Sequence, residues 1–480
     1  MEKFIGIDLG TSSVKAIMIS ENGIEKSTQR NYAVSCPKAS CFEQNPTDWY
    51  KQTLSALEEL LCNTDTSEIK AISFSGQMHG LVMLDINDNV IRPAVLWNDG
   101  RAVKETAFLN NDIGEDFLLK HTGNIAFAGF TAPKLLWVKK NEPESFAKAA
   151  KIMLPKDYLA YMLSGVFATD VSDASGTLYF DVANRKWSKE MLDIIEIDES
   201  CLPVVYESSD TIATIKPELA DRLRLSKSVK IVIGGGDNAC SAIGTGTVKS
   251  GSCNISLGTS GTIFVETDKH NYDRNSAIHS FCSASGGYHY LACILSAASC
   301  QKWWIEKILK TDYNTEAQPR YIGKNNVYFL PYLTGERSPL NNPEAKAVFY
   351  GMTPDTTREK MSLSVLEGVA FALKQNLEII KALKTDVTKA SICGGGAKNR
   401  LWLEILANTL NVKLEIPSSE QGGALGAALL AAKGIMNDKD YNEFSSRFYK
   451  ATKTIMPTTE LVEAYNEKFE TFLSIQKKLL

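Results

Sequence analysis

Asp237 stands behind three glycines, Gly234 to Gly236, at the end of the apolar stretch Val229–Ile233. A carboxylate at such a corner, with bare backbone beside it, can take the proton of a hydroxyl that attacks a phosphate. An aspartate opening a helix is also an ordinary N-cap, and that use competes with the catalytic one. Asp8 opens a second corner, Asp8-Leu9-Gly10-Thr11-Ser12-Ser13-Val14-Lys15. Its small residues let backbone amides approach a phosphate, and Thr11, Ser12 and Ser13 add hydroxyl donors. Lys15 is either a further phosphate contact or a solvated strand residue. The pattern returns as Ser256-Leu257-Gly258-Thr259-Ser260-Gly261, which makes Gly258 and Thr259 part of a second phosphate turn. Asp8 in the first copy is Ser256 in the second. One carboxylate near phosphates suits Mg²⁺, directly or through water, whereas a second would repel a nucleotide. A third glycine corner, Gly394-Gly395-Gly396-Ala397-Lys398-Asn399, permits close approach of a flat base or a ribose. Each of these turns, taken alone, also reads as plain loop chemistry.

The elements around these corners follow from hydropathy patterning. Phe4–Asp8, Val14–Ile19 and Ile24–Thr28 read as three strands of a meander, with Asn22-Gly23 as a hairpin signal. A dinucleotide-binding domain would follow its first strand with a helix, so that reading fails at the first element. Pro46–Cys62 is helical by the spacing of Trp49, Leu54, Leu57 and Leu61. Ile69–Phe74 is a buried strand running into Ser75-Gly76-Gln77-Met78-His79-Gly80, and Val82–Ile86 with Val90–Leu96 reads as a hairpin. Glu115 to Ser164 is mainly helical. Further helices fit Thr357–Leu383, Asn399–Thr409, Gly423–Lys433 and Glu460–Leu480, and Ala390–Cys393 is a strand. The echo of the Asp8 corner at Ser256 predicts two similarly built domains, 1–245 and 246–480, each opening on strand, turn, strand.

Composition narrows the partners. The chain has 480 residues, 44 % apolar and 22 % charged, with a net charge of −4. That balance argues against a general nucleic-acid or anionic-membrane surface. Met1-Glu2-Lys3 leads straight into Phe4–Asp8 with no secretory h-region, and no run of about 20 apolar residues is present. A cytoplasmic protein with free thiols is the expectation for its ten cysteines, which form no CxxC pair. No P-loop occurs, since Gly323-Lys324 is followed by Asn325, and no HExxH or Cys/His cluster suggests zinc.

Phosphate turn, second phosphate turn and adenosine glycines, in that order, resemble the superfamily of actin, hexokinase and the heat-shock chaperone ATPases. Phe130-Thr131-Ala132-Pro133-Lys134-Leu135-Leu136-Trp137, Leu154–Leu159, Ser172–Thr177, Phe329–Pro339 and Val365–Phe371 resemble motifs of the FGGY carbohydrate kinases over nearly the whole chain. Ser75–Gly80, Leu96–Arg101, Phe130–Trp137 and Gly234–Ala239 look like the branch of that family that phosphorylates D-xylulose. Glycerol-specific members carry Arg-Glu where this chain has Met78-His79, and Gly423 stands where many members of the xylulose branch have proline.

The resemblance implies an α/β protein of two ribonuclease-H-like domains flanking a cleft, with ATP and Mg²⁺ as cofactors and a small sugar as partner. It is compatible with a homodimer. It implies Asp237 as general base and Asp8 as the Mg²⁺ residue. Thr11, Ser12 and Thr259 would meet phosphates, Gly395, Gly396 and Asn399 the adenosine, and Trp303 is a further nucleotide-side candidate. Met78, His79, Asp237 and Asn238, with Asp99 nearby, would line the ketose site. A kinase for ribulose or a polyol, and a non-catalytic nucleotide switch of the same superfamily, are the competing functions.

Overall fold

The computed structural model describes residues 2–275, 277–312, 319–418 and 422–480. It divides into two units. The first comprises residues 1–248, 280–288 and 421–449, and the second residues 249–279, 289–420 and 450–480.

In the first unit, the largely apolar β1 (Lys3–Leu9) and β2 (Ser13–Ser20) and the mostly polar edge strand β3 (Gly23–Asn31) are joined by tight turns. β4 (Ile69–Gly76), β5 (Thr211–Thr214) and β6 (Lys230–Val232) complete a sheet in the order β5-β6-β4-β1-β2-β3. β1 is antiparallel to β2 and parallel to β4, β4 is parallel to β6, and β5 lies antiparallel to β6. β1 and β4 are buried on both faces, which their near-continuous apolar composition permits. The helix Pro46–Leu61, capped by Asn45, buries Trp49, Leu54 and Leu57 on one face. The helix Gly422–Lys433 covers the other face, packing Ala424, Leu425, Ala428 and Leu429 with Phe4, Ile17, Ala71 and Val232.

In the second unit β7 (Ser252–Leu257), β8 (Gly261–Thr267), β9 (Tyr288–Ile294), β10 (Lys389–Cys393), β11 (Lys413–Pro417) and β12 (Ala451–Ile455) run in the order β9-β8-β7-β10-β11-β12. β7 is antiparallel to β8 and parallel to β10, β10 is parallel to β11, and β12 closes the edge antiparallel. The central strand thus meets an antiparallel neighbour on one side and a parallel one on the other, as in the first unit. The recurrence of the Asp8 corner at Ser256 reflects this shared plan, the mixed α/β architecture of the ribonuclease-H-like fold. The helices Arg358–Ala382, Arg400–Leu410 and Thr459–Leu479 supply the second core, including Leu363, Val369, Trp402, Leu406, Tyr465 and Phe472.

One expected hairpin is rearranged. The turn between Val82 and Val90 forms, with Asp85 accepting from the amides of Asn87 and Asn89 at 2.8 and 2.9 Å. Val82–Leu84 nevertheless pairs with Lys151–Met153, and Ala94–Val95 with Glu43–Gln44. The two arms still meet at isolated antiparallel bridges, Leu84 with Val90 and, beyond Pro93, Leu81 with Val95, so the hairpin forms as separate bridges rather than one continuous ladder. All ten cysteines are free thiols. Among the described residues no helix is long and apolar enough to cross a membrane.

Candidate active site

Asp8 ends β1 and faces Lys15 across β2 and Ser75 across β4. The Ser75 hydroxyl donates to Asp8 Oδ1 at 2.7 Å. Burial raises the Asp8 pKa above the usual carboxylate value, with the Ser75 bond and the Lys15 charge opposing it. At Gly423 a Cβ would lie 2.8 Å from Asp8 Oδ1 and 2.9 Å from Oδ2, so only glycine leaves this carboxylate undisturbed.

The turn after Asp8 is held by its carbonyls. The amide of Tyr32 donates to Ser12 O, the Gln44 side-chain amide to Thr11 O at 2.7 Å, and the Tyr32 hydroxyl to Gly10 O. Trp97 Nε1 donates to Thr11 Oγ1 at 3.0 Å. Occupying three carbonyl oxygens removes the groups that would repel a phosphate, while Ser12 stays exposed. Gln44 is itself fixed by donors from Trp49 and Gln77.

Asp237 is the first residue of the helix Asp237–Gly244, whose N-cap position is Gly236. Its carboxylate therefore does not cap in the usual way. Oδ1 accepts from the Asn238 backbone amide at 2.7 Å and the Asn238 side chain at 3.0 Å. Oδ2 has no hydrogen-bond partner among the described residues. Burial, followed by the charge of Asp8, pushes the Asp237 pKa up to about 7, where a carboxylate exchanges protons efficiently at neutral pH. The three glycines before it differ in purpose. Gly234 has φ +76° and sits against the Phe74 carbonyl, which excludes a side chain. Cβ atoms at Gly235 and Gly236 would strike Ser172 Oγ and the Met78 side chain, at 2.8 and 2.9 Å. The amide of Gly236 donates to Ser172 Oγ at 3.1 Å, and Ser172 in turn donates to Asp170, one carboxylate of a fully buried cluster around Lys156.

Met78 and His79 lie beside this corner. Asn238 Nδ2 is 4.0 Å from Met78 Sδ, and Met78 is 4 % exposed. His79 Nδ1 lies 2.8 Å from the carbonyl of Gly176. A carbonyl only accepts, so Nδ1 is the protonated nitrogen and Nε2 has acceptor character in the neutral ring. A Cβ at Gly176 would stand 2.3 Å from the ring, which fixes the glycine of Ser172–Thr177. Asp99 is placed differently. Its Oδ1 accepts from the Arg101 backbone amide and Nε, and its Oδ2 from the Phe42 amide and Arg101 Nη2. The Asp99 side chain is fully buried, and its four bonds brace the loop Leu96–Arg101 against Phe42.

In the second unit a cavity of about 830 Å³ is lined by Gly258, Thr259, Gly395, Gly396 and Asn399, together with Ser299, Lys302, Lys398 and Arg400. This volume lies in the range of small-molecule and cofactor sites. Gly394, at φ +88°, is pressed against the Leu257 carbonyl, and a Cβ at Gly396 would strike Trp402 and Leu257. Gly395 has open space where its side chain would be. Asn399 Oδ1 caps the helix Arg400–Leu410 through the Trp402 amide at 3.2 Å. Trp303 is not among the cavity's lining residues. It stacks on Phe329, with centroids 6.1 Å apart, at the edge of the core. The motifs of the sequence assign no role to Lys302, Lys398 or Arg400. Two of them flank Asn399 in the glycine corner, and that adjacency is the one signal that could have found them.

Residues 3–244 match the N-terminal domain of the FGGY family of carbohydrate kinases, and residues 253–435 its C-terminal domain. A xylulose kinase of Escherichia coli (strain K12) is 38 % identical, over 99 % of both chains. A solved xylulose kinase from Brucella ovis superposes with a TM-score of 0.92 at 36 % identity, covering 100 % of this chain and 99 % of that one. A gluconate kinase from Lactobacillus acidophilus has the same TM-score, 0.92, at 26 % identity, covering 100 % of this chain and 98 % of that one. Backbone shape alone therefore does not select the sugar.

Proposed function

Because the chain belongs to the FGGY family of carbohydrate kinases, we propose that it transfers the γ-phosphate of ATP to the terminal O5 hydroxyl of D-xylulose, giving D-xylulose 5-phosphate and ADP. The observation that carries this reading is the state of Asp237, with Oδ1 held by Asn238, Oδ2 without a hydrogen-bond partner among the described residues, and a pKa raised to about 7. As the O5–phosphorus bond forms and the bond from phosphorus to the β-phosphate oxygen breaks, Asp237 Oδ2 takes the O5 proton. ADP leaves with the electron pair of the broken bond. The relatives' names point to xylulose, and Met78 and His79 supply an apolar wall and a hydroxyl partner for it.

The glycine-lined cavity of the second unit suits the nucleotide. Gly395 gives room for the base or ribose, and Lys302 and Lys398 supply positive charge for phosphates. The Asp8 carboxylate, with one oxygen held by Ser75 and the other without a partner among the described residues, fits a Mg²⁺ ligand or a holder of its water. The ion would screen phosphate charge. Thr11 and Ser12 would contact the phosphates.

The test is a sugar panel with purified protein, ATP and Mg²⁺, read as ADP release. D-xylulose raising turnover above D-ribulose, D-gluconate and glycerol is the expected result. Another sugar that equals or exceeds it overturns the substrate assignment, and no sugar response overturns the kinase assignment.

A further inference from the structure

His79 has φ +67°, a left-handed backbone that a β-substituted residue adopts only when its surroundings hold it there. What holds it lies on one short stretch of helix. The carbonyl of His79 accepts from Thr131 Oγ1 at 3.1 Å and from Lys134 Nζ at 2.9 Å. Thr131 and Lys134 open the helix Thr131–Asn141 and, being three residues apart, share a face. Phe130, just before them, packs its ring against the His79 imidazole, with centroids 4.7 Å apart. The opposite constraint comes from Gly176, whose carbonyl fixes Nδ1.

Lys134 is an unusual choice for this task. Its side chain is fully buried, and it has no carboxylate partner within ion-pair distance among the described residues. Burial holds its pKa well below the ordinary lysine range, against the opposing charge of Asp99. A buried amine that is not ion-paired is costly, and a methionine of similar length would fill the same space at less cost. What methionine cannot do is donate to the His79 carbonyl.

We propose that Thr131 and Lys134 are positioning residues that lock the His79 backbone, so that the imidazole presents its Nε2 edge to the ketose in one orientation and reads the hydroxyl stereochemistry. The Phe130–Trp137 motif thereby acts as a specificity device. This rests on the reading of His79 as a sugar contact. A misoriented imidazole weakens the hydrogen bond to a correctly placed hydroxyl and removes the penalty for a misplaced one. The signature is a loss of selectivity together with a loss of sugar affinity.

The experiment compares Lys134→Met, Thr131→Val, Thr131→Ser and His79→Ala with the unaltered full-length chain. It measures KM for D-xylulose, KM for ATP, kcat, and the ratio of kcat/KM for D-xylulose over its epimer D-ribulose. Lys134→Met is expected to raise the D-xylulose KM roughly tenfold or more and to lower the epimer ratio, with the ATP KM within about twofold. Thr131→Val should shift both in the same direction, and Thr131→Ser, which keeps the hydroxyl, should restore them. If Lys134→Met does not fold, the Thr131 pair decides alone. If His79→Ala raises the D-xylulose KM while Lys134→Met and Thr131→Val leave KM and epimer ratio unchanged, the positioning role is overturned and the sugar-contact reading stands. If His79→Ala leaves the D-xylulose KM unchanged, the contact reading falls and the positioning role with it.

Discussion

Replacing Asp237 by asparagine should abolish turnover and stabilise the protein, and the stabilisation should depend on pH. Burial and the Asp8 charge lift the Asp237 pKa from 3.8 to about 7 in the folded chain. A raised folded-state pKa means that the fold holds the proton more tightly than the unfolded chain does. Below about pH 4 both states are protonated and nothing is lost. As pH rises from there through about 7, the unfolded chain releases its proton first, so stability falls across that window and stays low above it. At 1.36 kcal/mol per pKa unit, the full span corresponds to ~4 kcal/mol, an upper bound because a buried site relaxes. Asparagine carries no such penalty at any pH. Between about pH 5.5 and 8 the stability advantage of Asp237→Asn should therefore widen by ~2 kcal/mol, roughly 2–3 °C in Tm for a chain of this length. Thermal unfolding of both proteins at the two pH values, without ligands, measures it. In the same preparations ADP release should fall by ~10²–10⁴-fold while ATP binding persists. A constant Tm gap at both pH values would refute the buried, proton-holding carboxylate, and a variant with more than about half the activity would refute the base.

The same carboxylate sets an acid limb. The kcat/KM for the sugar should fall about tenfold per pH unit below about 7, and Asp8→Asn at saturating Mg²⁺ should move that limb to lower pH, because the Asp8 charge raises the Asp237 pKa. Asp8→Ala should raise the Mg²⁺ concentration for half-maximal activity; unchanged half-saturation with normal turnover would make Asp8 structural. Gly395→Ala meets no atom within 4 Å in the protein but intrudes on the cavity, so the ATP KM should rise several-fold with Tm unchanged. D-xylulose should be preferred over D-ribulose by ~1–3 kcal/mol for a misplaced hydroxyl contact, read as the ratio of kcat/KM values.

Sequence and structure agree most closely where the chemistry is local. The strand, turn and strand around Asp8 and around Ser256 are legible because tight turns and alternating strands are written in adjacent residues. The glycine corners at Gly234 and Gly394 are legible for the same reason. What each glycine does is not, since the neighbours of Gly234, Gly235 and Gly236, namely Phe74, Ser172 and Met78, come from distant segments. The pins on the turn after Asp8, namely Tyr32, Gln44 and Trp97, lie far from it in sequence and carry no motif of their own. The Asp99 side chain faces inward because Arg101, two residues on, and Phe42 consume its lone pairs, and no hydropathy pattern reveals such a pairing.

The helix Gly422–Lys433 carries a consequence for how the chain is made. It lies so close on β1 that a Cβ at Gly6 would be 2.1 Å from the Ala424 carbonyl, and so close on the helix Asp237–Gly244 that one at Gly426 would be 1.7 Å from the Cys240 carbonyl. In chain order β1 precedes this helix, and most of the second unit lies between them. Until this helix arrives, Phe4, Ile17, Ala71 and Val232 lack Ala424, Leu425, Ala428 and Leu429 from their cluster. The first unit therefore cannot complete its core until the residues of the second unit that separate its own segments have been synthesised. Synthesis halted before this helix leaves that apolar surface exposed, the condition that makes folding intermediates prone to aggregate.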